Sequence, residues 1–143
     1  MAESLYMLVV DDDDVATESI VRSLHKSNVS FPVVTAEDGA VALEILRGQH
    51  LVRHIGQPNV VLLDLNMPRM NGFEFLEALR NDVSLAHTIV FVLTTSDDDR
   101  DISRAYHENV AGYFVKSAVG PQFRKLVALM ERYADAVRFC VAA

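Results

Sequence analysis

The chain is short of cysteine, of positive charge and of long apolar runs, and each shortage excludes something. Cys140 is the single cysteine among 143 residues, so no intrachain disulfide can form. A reducing, cytoplasmic compartment is the simplest expectation. Lys and Arg number 13 against 20 Asp and Glu, a formal net charge of −7. A surface of that sign does not suit nucleic acid, whose phosphates attract basic patches. The first apolar run, Leu5 to Val10, is short and stops at four aspartates. It has neither the longer core nor the cleavage site of an export signal. Nothing in the chain approaches the roughly 20 apolar residues of a membrane helix. Internal repeats, low-complexity stretches and a Pro/Gly-rich linker are also absent. What remains is a length suited to one compact domain and, with 50% apolar residues, enough material for a real core.

Five short apolar runs recur, at Tyr6–Val10, Pro32–Ala36, Val60–Leu63, Ile89–Thr94 and Tyr113–Val115. Several are continuous and rich in β-branched residues, the pattern of strands buried on both faces. Helical signals fall between them. Val15–Ser27 puts Ile20 and Leu24 four apart, and Gly39–Arg47 carries Val41, Leu43, Ile45 and Leu46 before Gly48. Asn71 with Glu74 makes a capping box for a helix turning Phe73, Leu76 and Leu79 inward. Ser96 is placed to cap the next helix, with Asp97, Asp98 and Asp99 near its positive end. The last helix is expected from Pro121 to Val141, with proline in its first turn. Five strand–helix repeats predict a doubly wound α/β fold with a parallel sheet and helices on both faces. Right-handed crossovers then gather functional groups at the carboxyl ends of the strands.

Those ends carry a definite chemistry. Asp11 and Asp12 follow the first strand, and Asp64 follows the third. If the two strands are neighbours, three carboxylates converge. Two like charges 4 Å apart cost on the order of 4 kcal/mol at an effective dielectric near 20, so a cation is needed. Hard oxygen ligands favour Mg²⁺. Thr94 ends the fourth strand with a hydroxyl, and Lys116 ends the fifth with an ammonium. Carboxylate nucleophile, metal and lysine together suit phosphoryl transfer.

Here the chain resembles the response regulator receiver domains of two-component systems over nearly its whole length. The resemblance rests on LVVDD at Leu8–Asp12, LLDLNMPRMNG at Leu62–Gly72, VLTTS at Val92–Ser96 and GYFVKS at Gly112–Ser117. It implies a flavodoxin-like five-stranded sheet in the order 2-1-3-4-5, which the pattern alone does not give. It also implies Asp64 as phosphoacceptor. Asp11, Asp12, Asp64 and the backbone carbonyl of Asn66 would hold Mg²⁺. Thr94 and Lys116 would serve the phosphoryl group, Tyr113 and Thr94 would act as switch residues, and Asn66 and Ser96 would tune hydrolysis. Pro68 and Gly72 would shape the loop after Asp64. The donor would be a sensor histidine kinase, and the receiver would catalyse only its own phosphotransfer and dephosphorylation. A homodimer through the fourth and fifth helices and fifth strand, a single receiver over residues 1–143 and no output domain complete the expectation.

The chain departs from the family pattern at a few positions. Ser117 stands where the family has proline after its lysine. A cis bond before a non-proline residue costs roughly 3 kcal/mol, which makes this loop the expected site of least typical geometry. Extra residues around Gln49–Gln57, with the TTS and KS pairs, are similar to the stand-alone regulators paired with bacterial phytochrome kinases. Asp13 and Asp14 read as solvated or capping residues. His50 and His54 share a helical metal spacing but have no third ligand nearby. Cys140 reads as a packed or interface thiol, and Leu129, Phe139 and Val141 as apolar residues off the inward stripe of the last helix. Aspartate-nucleophile phosphatases need a second acid two residues after the nucleophile, where this chain has Asn66. A nucleotide-binding loop of the Gly-rich Lys-Ser/Thr type is absent. A phosphorylation-independent interaction module is the remaining alternative.

Overall fold

The computed structural model describes residues 5–29 and 31–140. Five parallel strands form one sheet: β1 Tyr6–Val10, β2 Val33–Ala36, β3 Asn59–Leu63, β4 Ile89–Thr94 and β5 Gly112–Val115. Their order is β2-β1-β3-β4-β5, as the resemblance implied. The helices are α1 Asp14–His25, α2 Gly39–Leu46, α3 Gly72–Asn81, α4 Asp99–His107 and α5 Arg124–Ala136. Two short 3₁₀ turns, Lys116–Ala118 and Pro121–Phe123, join β5 to α5.

Alternation along the strands divides the core into two layers. Leu8 and Val10 of β1 face one side with Leu43 and Ile45 of α2, Phe75, Leu76 and Leu79 of α3, and Ala105 of α4. Met7 and Val9 face the other with Ile20 and Leu24 of α1 and Leu126 and Met130 of α5. Both faces of the sheet are therefore covered, and this is why its strands read as continuous apolar runs. The register sets Val10 beside Leu63. Asp11 and Asp64 thus leave the sheet side by side.

Local rules explain most of the helix starts. Asp13 caps α1, its Oδ1 accepting from the N–H groups of Val15 (3.0 Å) and Ala16 (3.2 Å). The Asn71–Glu74 capping box forms in both directions at 3.0 Å. Ser96 does not cap α4. Asp98 does, accepting from Arg100 N–H at 2.8 Å, because a carboxylate one residue before the helix outcompetes a hydroxyl three residues before it.

The C-terminal helix is shorter than its apolar spacing suggests. It starts only at Arg124, because Gln122 and Phe123 adopt positive φ and break the turn after Pro121. It stops at Ala136, where Val137 is extended. Phe139 then folds back with its ring 5.7 Å from Tyr133, which itself meets Phe91 edge-on at 5.3 Å. Phe139 is core-packed rather than frayed, Leu129 remains 40% exposed, and Cys140 is exposed. Val141 lies outside the described residues. No helix among the described residues is long and apolar enough to cross a membrane.

Candidate functional site: a carboxylate cluster at the strand ends

The site is assembled by backbone pairing before any side chain acts. Asp11 N–H donates to Ala36 O at 3.0 Å, and Asp64 N–H donates to Val10 O at 2.9 Å. These bonds extend the sheet by one residue and hold the two carboxylates at its edge. Asp12 follows on the exposed side. One carboxylate oxygen from each of Asp11, Asp12 and Asp64 lies within 4.8 Å of the other two. Asp11 and Asp64 are buried while Asp12 faces solvent.

Each buried carboxylate has its own partner. Lys116 Nζ donates to Asp11 Oδ2 at 2.6 Å, and Asp11 Oδ1 also accepts the N–H of Asp13 at 2.9 Å. Thr94, fully buried, donates its hydroxyl to Asp64 Oδ1 at 2.7 Å. Burial pushes the Asp64 carboxyl up from its ordinary value. The Thr94 hydrogen bond works against that shift, the Asp11 charge adds to it, and Lys116 opposes it. The result is a buried carboxylate bonded by one hydroxyl, with the Lys116 ammonium on the neighbouring Asp11 and the exposed Asp12 completing a cluster of three acids. All-oxygen ligation by acids is the donor set of a hard divalent ion, so the residues present fit Mg²⁺.

The loop after Asp64 is shaped by close backbone approach. A Cβ on Gly72 would sit 2.6 Å from Asp64 O and 2.7 Å from Leu65 Cα, so only glycine fits. Gly72 N–H donates to Leu65 O at 3.0 Å, which folds the loop back over the strand end. Arg69, at φ 64°, pairs with Asp38 Oδ2 at 2.7 Å and ties the same loop to the start of α2.

The Response regulator receiver domain model matches residues 7–128 of the chain. The chain belongs to the response regulator receiver family. Among curated relatives of the receiver, Response regulator Rcp1 of Synechocystis sp. is 29% identical over 127 residues, covering 89% of this chain and 86% of its own. The phosphorylated cyanobacterial phytochrome response regulator RcpA superposes with a TM-score of 0.82 at 31% identity, over 94% of this chain and 96% of RcpA. The bacteriophytochrome response regulator RtBRR gives 0.76 at 31% identity, over 98% and 82%. A Mn²⁺-bound form of Rcp1 also superposes, with a TM-score of 0.83 at 26% identity over 95% of this chain and 99% of that one.

The receiver brings Asp11, Asp12, Asp64, Thr94 and Lys116 together, as their strand-end positions predicted. Tyr113 stands on β5 with its hydroxyl donating to Ser96 O at 2.9 Å. Burial raises the Tyr113 phenol, and the acids Asp101, Asp97 and Asp98 add to the rise. The side chain of Asn66 is exposed beside the cluster. Around Lys116–Ser117 the geometry is ordinary: the peptide is trans and opens a 3₁₀ turn, while the one cis peptide among the described residues is Gln57–Pro58. A trans bond avoids the cost that a non-proline cis bond would carry. His50 and His54 lie on a non-helical turn, where His50 Nδ1 accepts from Val52 N–H at 3.1 Å and Arg53 N–H at 2.9 Å. That ring nitrogen shapes the turn.

Sequence reasoning missed two partners. Asp38 is a buried cap that also holds Arg69, and Asp101 accepts the Ser96 hydroxyl at 2.7 Å. Neither pairing has a linear signature. Asp101 sits within the acid-rich run 97–101, where any of four aspartates could have been the one to turn inward.

Proposed function

We propose that the receiver works as a phosphorylation switch in which Asp64 accepts a phosphoryl group from a sensor histidine kinase. The observation that carries this reading is the Asp11–Asp12–Asp64 cluster with Thr94 and Lys116 bonded into it. A carboxylate oxygen of Asp64 forms the new P–O bond as the donor's P–N bond breaks, leaving a mixed anhydride on the chain. Asp11, Asp12, Asp64 and the carbonyl of Asn66 would hold Mg²⁺, which supplies positive charge beside the transferring group. Lys116 contributes a second positive charge, and Thr94 donates to a phosphoryl oxygen. Asn66 and Ser96 flank the group and tune its hydrolysis, and Tyr113 follows the movement of Thr94.

The names of RcpA and RtBRR support a bacterial phytochrome as the kinase. The receiver, matched over residues 7–128, passes on its state by protein contact. A homodimer through α4, β5 and α5 is one such contact, and Tyr106 and Leu129, 49% and 40% exposed, lie on those helices. Intact-mass measurement after incubation with Mg²⁺ and acetyl phosphate tests the central step. Wild type gains one phosphoryl mass and Asp64→Asn does not. A wild-type protein that never gains mass, or an Asp64→Asn variant that does, rejects it.

A further inference from the structure

Thr94 gives its one hydroxyl proton to Asp64 Oδ1. A phosphoryl oxygen on Asp64 would lie farther out than that carboxylate oxygen, so the hydroxyl would have to be aimed again. Thr94 is fully buried, and a β-branched side chain is stiff at χ1. Re-aiming therefore needs backbone movement at the end of β4, and Ser96, two residues on, must move with it.

Ser96 is held at three points. Its carbonyl accepts from the Tyr113 hydroxyl at 2.9 Å. Its hydroxyl accepts from Asp98 N–H at the long distance of 3.3 Å. The same hydroxyl donates to Asp101 Oδ2 at 2.7 Å, the shortest of the three and the one made to a carboxylate, a class roughly twice as strong as neutral hydrogen bonds. Asp101 lies on α4 and is half-buried. This bond spans the loop between β4 and α4, so it closes the loop on itself and resists its displacement.

We propose that Asp101 is a positioning residue for phosphorylation: by accepting the Ser96 hydroxyl it latches the β4–α4 loop in the placement where Thr94 holds Asp64. This inference rests on Asp64 being the phosphoacceptor. The latch contributes to one of two loop placements and not the other, so breaking it shifts their ratio by the worth of the bond. Asp101 lies outside the carboxylate cluster and grips the loop through its hydrogen bond from Ser96.

The test is the initial rate of phosphoryl gain by the full chain with Mg²⁺ and acetyl phosphate, followed by intact mass. Asp101→Ala and Ser96→Ala break the same bond from opposite ends. Each raises the rate about three- to ten-fold, the factor a net hydrogen bond is worth. The double variant is no faster than the faster single one, since one bond can be lost only once. Asp101→Asn keeps an acceptor oxygen and restores the slow rate, which separates the hydrogen bond from the loss of charge. An Asp101→Ala rate equal to or below wild type overturns the latch. So does a fast Asp101→Asn, or a double variant whose effects multiply. If wild type takes up phosphoryl while Asp101→Ala behaves like wild type, the latch alone falls. If wild type takes up none, the phosphoacceptor reading falls and the latch with it.

Discussion

Asp64 sits in a compromise that a single residue change can expose. Burial raises its carboxyl, and the Thr94 hydroxyl and Lys116 pull it down only in part. A carboxyl that holds its proton more tightly when folded gives a stability contribution that is complete below the unfolded value. That contribution is lost as pH rises through the folded value. At neutral pH without divalent cations, the ionised Asp64 is therefore a liability beside Asp11. Asp64→Asn removes it, and the variant is expected to be more stable than wild type at neutral pH. Below the unfolded carboxyl value, near pH 3, the advantage disappears. Urea denaturation in chelator at both pH values checks this; equal stabilities at pH 7 would mean that the cluster is not strained. The reverse ordering is expected on adding Mg²⁺, because only wild type keeps all three acids to bind it.

At the scale of elements, two connections keep the strand ends in place. The first is the turn from β3 to α3, where Gly72 lies against the Asp64 carbonyl. Gly72→Ala forces Cβ into backbone atoms that cannot yield cheaply, so a loss of about 2 kcal/mol is expected, together with slower phosphorylation as Asp64 is displaced. Thermal melts and acetyl phosphate labelling check both halves. The second connection lies at the far end of α3. Arg80 donates to the carbonyls of Glu108 (2.7 Å), Ala86 (2.9 Å), Thr88 (2.8 Å) and Asn109 (3.1 Å). One guanidinium thus ties α3 to the segment before β4 and to the segment before β5. Arg80→Leu strands those carbonyls, and a loss of about 3 kcal/mol is expected. Labelling of Asp64 stays at the wild-type rate, because Arg80 lies at the amino-terminal end of the sheet. Slower labelling in a folded Arg80→Leu protein would show that the two ends are coupled.

For the molecule as a whole, two helices of the same core layer are unequal in what they bury. α3 buries Phe73, Phe75, Leu76 and Leu79, whereas α4 buries only Ala105. The helix nearest the latch is also the one with the fewest buried residues among the described α-helices. Its surface includes Tyr106, and α5 adds Leu129. The proposed contact with a second copy through α4, β5 and α5 is expected to strengthen on phosphorylation. Sedimentation velocity across a concentration series, with and without beryllofluoride and Mg²⁺, checks this. A single monomer boundary at high concentration in both conditions removes the dimer.

Much of this was legible in the sequence because the parallel sheet writes a strong signal. Strands covered on both faces must be continuous apolar runs, and an acid directly after such a run must lie at the sheet's carboxyl edge. Asp11, Asp12, Asp64, Thr94 and Lys116 each stand at or just after the end of such a run, which makes them legible in the sequence. Local hydrogen bonding likewise determined the Asn71–Glu74 box and the Asp13 cap. Partners that meet only in space were a different matter. The length of α5 was decided by the positive φ of Gln122 and Phe123 at its start and the extended Val137 at its end, after which Phe139 folds back onto Tyr133, outcomes that no helical spacing encodes. At Lys116–Ser117 the peptide keeps the trans form that is the default before a non-proline residue, and the 3₁₀ turn it opens was not legible in the pattern. The choice of Asp98 as cap and Asp101 as the partner of Ser96 follows from how α4 lies against the loop after Thr94. The sequence by itself placed the site's groups at the ends of strands, since periodicity marks where strands stop. The strand order that brings the ends together belongs to the tertiary structure. Only the tertiary structure decided what restrains them, since a hydrogen bond between side chains depends on the angle at which two elements meet.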